Sequence, residues 1–419
     1  MKILVAHNRY RIRGGEDSVF ESECRMLEDA GHKVVRYEKT NADIHDNGGL
    51  AAKVSLAIRT IWNQRTFREV RELIRREKPD VVHCHNTFPL ISPSIYYAAA
   101  REGVPVVQTL HNYRLTCLNG YLFRGGRICE SCLGRSPLRG VCRRCYRGSH
   151  SQSVTLAAML IVHRLLGTWR RKVTRYIALT EFAREKFIQA GLPASKIVVK
   201  PNAVAATIPT ATSITTQTAC EKRHAKSDGG PAAHVIYLGR LSPEKGVDVL
   251  LRAWALLCNG IPRHPCCLSI VGSGPEDESL RALASSLGIV DSVRFLGPLP
   301  REDALRELSV AQLLVLPSRC YEQFSTTVLE AMSNGVPALV SDSVSQSTIV
   351  EDGVTGRLFP SGDPAALASS LRSLLADTAE LRRMGTAARA AFETSDCRPD
   401  RNLARLLAIY ASCGATPST

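Results

Sequence analysis

Residues Pro317–Ala338 read PSRCYEQFSTTVLEAMSNGVPA. The preceding run, Leu313–Leu316, is short and wholly apolar, as a buried parallel strand requires. A loop follows, then a helical pattern from about Ser325 to Ser333, which Asn-Gly-Val-Pro ends. Such a strand–loop–helix unit aims free backbone N–H groups and the positive end of a helix dipole beyond the strand's C-terminal edge, where a phosphate is favoured. Glu322 falls in the loop and Glu330 in the helix. Carboxylates repel phosphate but accept hydrogen bonds from hydroxyls, so this pair suits sugar or ribose beside the phosphate. The combination points to a nucleotide-sugar site.

The pattern E-x-F-x4-L-E-A-M-x2-G-x-P, with its Glu-x7-Glu spacing, resembles the signature of retaining glycosyltransferases of family 4. The resemblance implies an α/β chain of GT-B fold, with two Rossmann-like, doubly wound domains facing an inter-domain cleft. It implies that Glu322 bonds the transferred sugar, Glu330 bonds the ribose hydroxyls, and Phe324 and Ser325 belong to the donor loop. It further implies retention of anomeric configuration, with no metal or other cofactor at the catalytic centre.

A chain of 419 residues has room for two domains with full cores. No run of about 18 apolar residues occurs, so no spanning helix is expected. The opening Met-Lys-Ile-Leu-Val-Ala-His-Asn reads as a strand and not as a signal peptide. The expected location is therefore cytoplasmic, at most peripheral on the inner face of the membrane. Charge is uneven: residues 1–200 hold 34 Lys+Arg against 17 Asp+Glu, and the remainder 20 against 22. The whole basic excess lies in the first half. It suits an anionic membrane surface carrying a lipid-linked acceptor, and no specific nucleic acid is expected as partner.

Lys2–Ala6 is an apolar strand, followed by a loop with Gly14-Gly15 and a helical pattern through Val19, Phe20, Cys24 and Leu27. This βαβ opening predicts a doubly wound sheet. The glycine pair permits close approach of backbone to a ligand, but it is not a dinucleotide fingerprint. It resembles the glycine-rich first loop of family 4, which faces the donor diphosphate. Ile58–Lys78 reads as one basic amphipathic helix. Asp80–His83 and Val104–Thr109 read as strands ending in His83-Cys84-His85-Asn86 and Leu110-His111-Asn112-Tyr113. Ligands of open α/β sheets bind at such strand ends. By position His111 matches the family histidine that lines the acceptor side and touches the transferred sugar, with His85 second.

Cys117–Cys145 reads CLNGYLFRGGRICESCLGRSPLRGVCRRC. Cys129 and Cys132 form a C-x2-C knuckle, with Cys117 before it and Cys142 or Cys145 after it. Four thiolates would suit a structural tetrahedral Zn²⁺ holding a loop too polar to build a core; Cys117, Cys129, Cys132 and Cys145 are the set carried forward. A cysteine-bearing insert in this place is similar to one branch of family 4. Ser153–Trp169 is an apolar helix with a basic tail, too short to span a bilayer and read mainly as core-facing.

Ala203–Ala233 is rich in Ala, Thr and Ser and reads as a linker. The domains are thus expected at 1–202 and 234–392, with residues 393–419 a C-terminal helix and tail that in this fold crosses back onto the first domain. His234–Leu238 opens the second sheet and runs into Gly239-Arg240-Leu241-Ser242-Pro243-Glu244-Lys245-Gly246. A guanidinium and an ammonium on that loop can neutralise a departing diphosphate without a metal. Family 4 looks the same here, with G-R-L-x3-K-G. Gly272 and Gly274, in Gly-Ser-Gly-Pro after the next strand, are ligand-facing by the same resemblance. Where most members carry Gly-Gly and a Glu, this chain has Val344-Ser345 and Thr348. Catalysis is therefore assigned to His111, Arg240, Lys245 and Glu322, and donor binding to Gly14, Gly15, Gly239, Gly272, Gly274, Phe324, Ser325 and Glu330. The donor is of UDP or GDP type and the acceptor a saccharide or lipid-linked hydroxyl, in cell-surface polysaccharide or glycolipid synthesis. The alternatives are a nucleotide-sugar epimerase on the same fold, or a non-catalytic protein that binds nucleotide sugar or nucleic acid.

Overall fold

The computed structural model describes residues 1–11, 14–44, 49–204, 233–258, 266–343 and 346–415. The expected linker falls almost wholly outside the described residues, as do Val344 and Ser345. The chain forms two compact units, one of Met1–Arg124, Cys129–Ala203 and Pro399–Thr419, the other of Gly125–Ile128 and Val204–Arg398.

In the first unit six strands form one sheet: β1 (Lys2–Arg9), β2 (Lys33–Thr40), β3 (Val81–Asn86), β4 (Val106–Thr109), β5 (Arg175–Ala178) and β6 (Ile197–Val199), in the order β2-β1-β3-β4-β5-β6. All neighbours are parallel. Order reverses between β1 and β3, so a crevice opens beyond the carboxyl ends of those strands. Ile3 and Val5 of β1 are buried with Phe20, Cys24 and Leu27 of helix Gly15–Asp29. Leu406, Ile409 and Tyr410 of helix Pro399–Ala411 complete the same core.

The single basic helix expected over Ile58–Lys78 is two helices, Leu50–Ile61 and Gln64–Glu77. Asn63 makes the break: its Oδ1 accepts from Arg65 N–H at 3.1 Å and Thr66 N–H at 3.2 Å, capping the second helix. A local side-chain bond thus overrides a continuous amphipathic pattern.

The second unit has strands β7 (Ala233–Leu238), β8 (Cys266–Val271), β9 (Val293–Gly297), β10 (Leu313–Leu316), β11 (Ala338–Ser341) and β12 (Gly356–Phe359). Their order is β9-β8-β7-β10-β11-β12, again all parallel. Counted within the unit this is 3-2-1-4-5-6, the Rossmann order, with its switch point between β7 and β10. Leu313–Leu316 is fully buried, as its unbroken apolar run requires. Trp254 and Phe392 from helices and Phe359 from β12 fill the unit's core. No helix among the described residues is long and apolar enough to cross a membrane.

Candidate functional site

At the switch point of the second unit, the loop after β7 meets the loop after β10. Lys245 ends a 3-10 turn, Pro243–Lys245, closed by Gly246 in the left-handed region. Its ammonium lies 2.6 Å from Glu322 Oε1, and the Ser318 hydroxyl donates to the same oxygen at 2.6 Å. Burial pushes the Glu322 carboxyl up, but Lys245 and Ser318 outweigh it and hold it below the usual carboxylate range. Burial alone would lower Lys245, and the Glu322 charge raises it instead. The pair is therefore fully ionised at neutral pH. The loops are fastened around it. Arg319 bonds Asp248 at 2.6 Å and the Pro243 carbonyl at 3.0 Å, and the Tyr237 hydroxyl donates to the Arg240 carbonyl at 2.8 Å. The Arg240 side chain is exposed and makes no ion pair among the described residues.

Ser325 is the N-cap of helix Thr326–Ser333, its hydroxyl accepting from Val328 N–H at 3.4 Å, and Phe324 packs against the core beside it. Glu330 is buried within that helix, and its Oε1 is 2.8 Å from Arg301 of helix Arg301–Ser309. Burial raises the Glu330 carboxyl and Arg301 offsets this only in part. Ser318, Arg301 and Arg319 were not singled out by the sequence. Arg301 and Arg319 act across tertiary contacts that no local spacing announces, whereas Ser318 stands only four residues before Glu322 in the same loop.

The glycines divide into two kinds. A Cβ on Gly272, at φ +137°, would stand 1.8 Å from the Gly239 carbonyl oxygen, and one on Gly274 would stand 2.0 Å from that of Leu241. These two are demanded by the crossing of the β7 and β8 loops, whatever ligand binds. Gly239 is itself one side of that crossing. At Gly15 a Cβ would meet nothing within 4 Å, and at Gly14 only the Asp17 side chain at 3.9 Å. Among the described residues, protein packing therefore does not explain the Gly14-Gly15 pair.

The switch point of the first unit is a buried polar cluster. Glu23, on helix Gly15–Asp29, lies with its Oε1 3.1 Å from His83 Nδ1 and 3.2 Å from His85 Nε2. Its other oxygen is 3.1 Å from Lys200 Nζ. Burial pushes the Glu23 carboxyl up, but Lys200, His83 and His85 together hold it well below its usual range. His85 Nδ1 is 2.9 Å from His111 Nε2, and the two rings stack. Burial first, then histidine neighbours, lower His85 to about 4 and His111 well below its ordinary value, so both are neutral. His7 is 2.8 Å from Asp17, whose other oxygen accepts from Gly14 N–H at 2.8 Å. His111 and His85 both line a cavity with Glu16, Asn112 and Arg114. His83 and His85, two apart in β3, were visible as strand-end histidines. Glu23 and Lys200 were not, since they lie 177 residues apart.

Among the described residues, Glu23, His83 and His85 are the one group of three or more metal-ligating side chains whose ligand atoms all lie within 4.8 Å of one another. Lys200 already supplies the cation there. Cys117, Cys129, Cys132 and Cys145 are free thiols and do not meet that spacing. Cys117 is buried and its Sγ bonds Asn119 Oδ1 at 3.0 Å. Cys132 feels the charge of Cys129, and Cys117 and Cys145 feel that of Cys132.

Two family models match the chain: "Glycosyltransferase Family 4" over residues 13–207 and "Glycosyl transferases group 1" over residues 221–391. The chain belongs to glycosyltransferase family 4. A D-inositol 3-phosphate glycosyltransferase of Nocardia farcinica is 39% identical over 157 residues, 36% of this chain and 34% of that protein. A GDP-mannose-dependent phosphatidylinositol monomannoside mannosyltransferase of Mycolicibacterium smegmatis is 34% identical over 161 residues, 37% of this chain and 42% of that one. These matches thus span about a third to two fifths of the relatives' own length. Among solved structures, Anabaena HepE in complex with UDP superposes with a TM-score of 0.67 at 18% identity, covering 98% of this chain and 100% of that one. Sucrose-phosphate synthase of Thermosynechococcus elongatus gives 0.69 at 17%, covering 99% of each chain. The family 4 chain therefore has the GT-B fold, two Rossmann-like units in one polypeptide.

Proposed function

We propose that this protein is a retaining glycosyltransferase that moves a sugar from a UDP- or GDP-type donor to a hydroxyl of a saccharide or lipid-linked acceptor, in cell-surface polysaccharide or glycolipid synthesis. The observation that carries this reading is the ionised Lys245–Glu322 pair at the switch point of a Rossmann unit. An ammonium has three donors and spends one on Glu322, so the others can take oxygens of a diphosphate. With exposed Arg240 on the same loop, two cations would stabilise charge as the nucleoside diphosphate leaves. Among the described residues both partners of Glu322 fall on Oε1, which leaves Oε2 to accept from a sugar hydroxyl. Glu330 would take the ribose hydroxyls beside Arg301. On the first unit, the acceptor hydroxyl would lie near His111 and the diphosphate near Gly14-Gly15. HepE is recorded with UDP and with UDP-glucose, and the relatives named above are glycosyltransferases, which supports this donor class. The test is transfer of labelled sugar from a panel of UDP and GDP sugars. Hydrolysis or epimerisation without transfer, or no donor binding at all, overturns the reading.

The acceptor would be reached at the inner face of a membrane. Leu50, Val54 and Ile58 recur every four residues on one helix and are 79%, 50% and 60% exposed. Leu165, 82% exposed, ends the neighbouring helix His150–Leu165, and neither helix has an acidic residue. Residues 131–180 carry ten Lys or Arg and no Asp or Glu. Apolar side chains flanked by cations suit an anionic lipid interface. Co-sedimentation with phosphatidylserine vesicles but not phosphatidylcholine vesicles is expected, and the double variant L50E/I58E should weaken it at least about tenfold. Equal partitioning of both proteins sinks this part of the proposal.

The cysteine loop is proposed to hold one structural zinc through Cys129, Cys132 and Cys145, with Cys117 fourth. In support, burial alone would raise the Cys129 thiol, but the Ser131 hydroxyl and Arg143 bring it below its usual value and favour thiolate. The thiols stand too far apart for a closed tetrahedron, so loading would draw the loop in. Elemental analysis should find about one zinc per chain. A metal-free, fully folded protein refutes it.

A further inference from the structure

We propose that Glu23 and His85 act as positioning residues that lock His111 in the tautomer carrying its proton on Nε2, so that its Nδ1 is held bare as a proton-accepting face. Each link follows from a distance. A neutral imidazole has one N–H and one lone pair. Glu23 is a carboxylate, held by Lys200 at 3.1 Å, and its Oε1 stands 3.2 Å from His85 Nε2. Among the described residues neither atom has a hydrogen-bond partner, so the contact acts through charge: a lone pair there would face negative charge at close range in a dry interior, and Nε2 of His85 therefore carries the proton. His85 Nδ1 is then bare and accepts. Its contact with His111 Nε2 at 2.9 Å requires the proton to sit on His111. His111 is neutral, so Nδ1 is left as the lone pair.

His83 does not compete for this order. Its Nδ1 faces the Tyr410 hydroxyl at 2.7 Å and its Nε2 faces the Thr109 hydroxyl at 2.8 Å. By the same argument its Nδ1, which also stands 3.1 Å from Glu23 Oε1, carries the proton, and its Nε2 accepts from the Thr109 hydroxyl; a carboxylate oxygen has lone pairs for both rings, so His83 leaves the His85 order unchanged. Glu23 thus dictates the His85 proton, and through it the His111 proton, as a carboxylate behind a ligating histidine fixes that ring. Only the consequence for transfer rests on the reading of His111 as the acceptor-side group: a bare Nδ1 takes a hydrogen bond from a hydroxyl and gives none.

The test is a two-bond 1H–15N correlation on full-length protein with 15N-labelled histidine near pH 7.5, the His111 signals being assigned by their loss in His111→Gln. Wild type should show His111 protonated on Nε2. In Glu23→Gln the amide carbonyl turns to Lys200 and the NH2 faces the rings, so His85 and His111 should both invert. Transfer should fall about tenfold or more in kcat with donor KM unchanged. His111 protonated on Nδ1 in wild type, or unmoved in a folded Glu23→Gln, overturns the proposal. If the variant does not fold, the wild-type spectrum decides alone. Inverted tautomers with unchanged transfer leave the lock standing and sink the acceptor-side role of His111.

Discussion

Lys245→Ala is expected to lower the kcat of sugar transfer by about 10²–10³-fold, the usual cost of deleting one preorganised charge at a developing anion. The change removes the ammonium that would meet the leaving diphosphate. It also leaves Glu322 with only the Ser318 hydroxyl, in a site where burial already pushes its carboxyl up. The carboxyl would rise toward neutral pH, so the residual activity should acquire a new dependence on pH, with loss as the acid form accumulates. Lys245 is 28% exposed and Glu322 14%, so the stability lost with the pair should be modest. Steady-state kinetics with a thermal melt separate the two effects. A folded Lys245→Ala with wild-type transfer would show that this pair is not the donor site.

Gly272→Ala is expected to be the most damaging single methyl in the second unit. Its Cβ would lie 1.8 Å from the Gly239 carbonyl oxygen at a backbone angle that L-residues rarely adopt. Relief would need backbone movement, yet Gly272 N–H bonds the Gly297 carbonyl at 2.8 Å and Gly239 N–H bonds that of Val271 at 3.0 Å. A loss above about 4 kcal/mol is expected, seen as insoluble protein or a steep fall in melting temperature. Gly15→Ala is the control: among the described residues nothing stands within 4 Å of its Cβ, and stability should change by no more than about 0.5 kcal/mol. If that control keeps its stability and loses donor affinity, the glycine pair serves a ligand and not the fold.

Much of this was legible in the sequence because it is local. Leu313–Leu316 and the helix to Ser333 follow from an unbroken apolar run, a serine cap and an Asn-Gly-Val-Pro stop, and the structure has both. Lys245 and Glu322 were each recognisable from their loops, and they meet. What escaped is what depends on distance along the chain. Arg301 reaches Glu330 from another helix, and Glu23 meets Lys200 only once the sheet has formed. Nor could spacing separate the roles of the glycines: Gly272 and Gly14 look alike in a sequence, and only the carbonyl facing the first tells them apart. Asn63 shows the converse, a polar residue inside a helical period that stops the helix by bonding its own backbone.

The chain leaves the first unit at Ala203 and returns at Pro399. On the ribosome, β1 to β6 therefore emerge long before Leu406, Ile409 and Tyr410, which close their core, Tyr410 also meeting His83. Until residues 204–398 have been made, the nascent first unit keeps an apolar face and a buried-type histidine open to water. Vectorial synthesis thus leaves it waiting on its own far end, which makes that interval the one in which a chaperone would matter most.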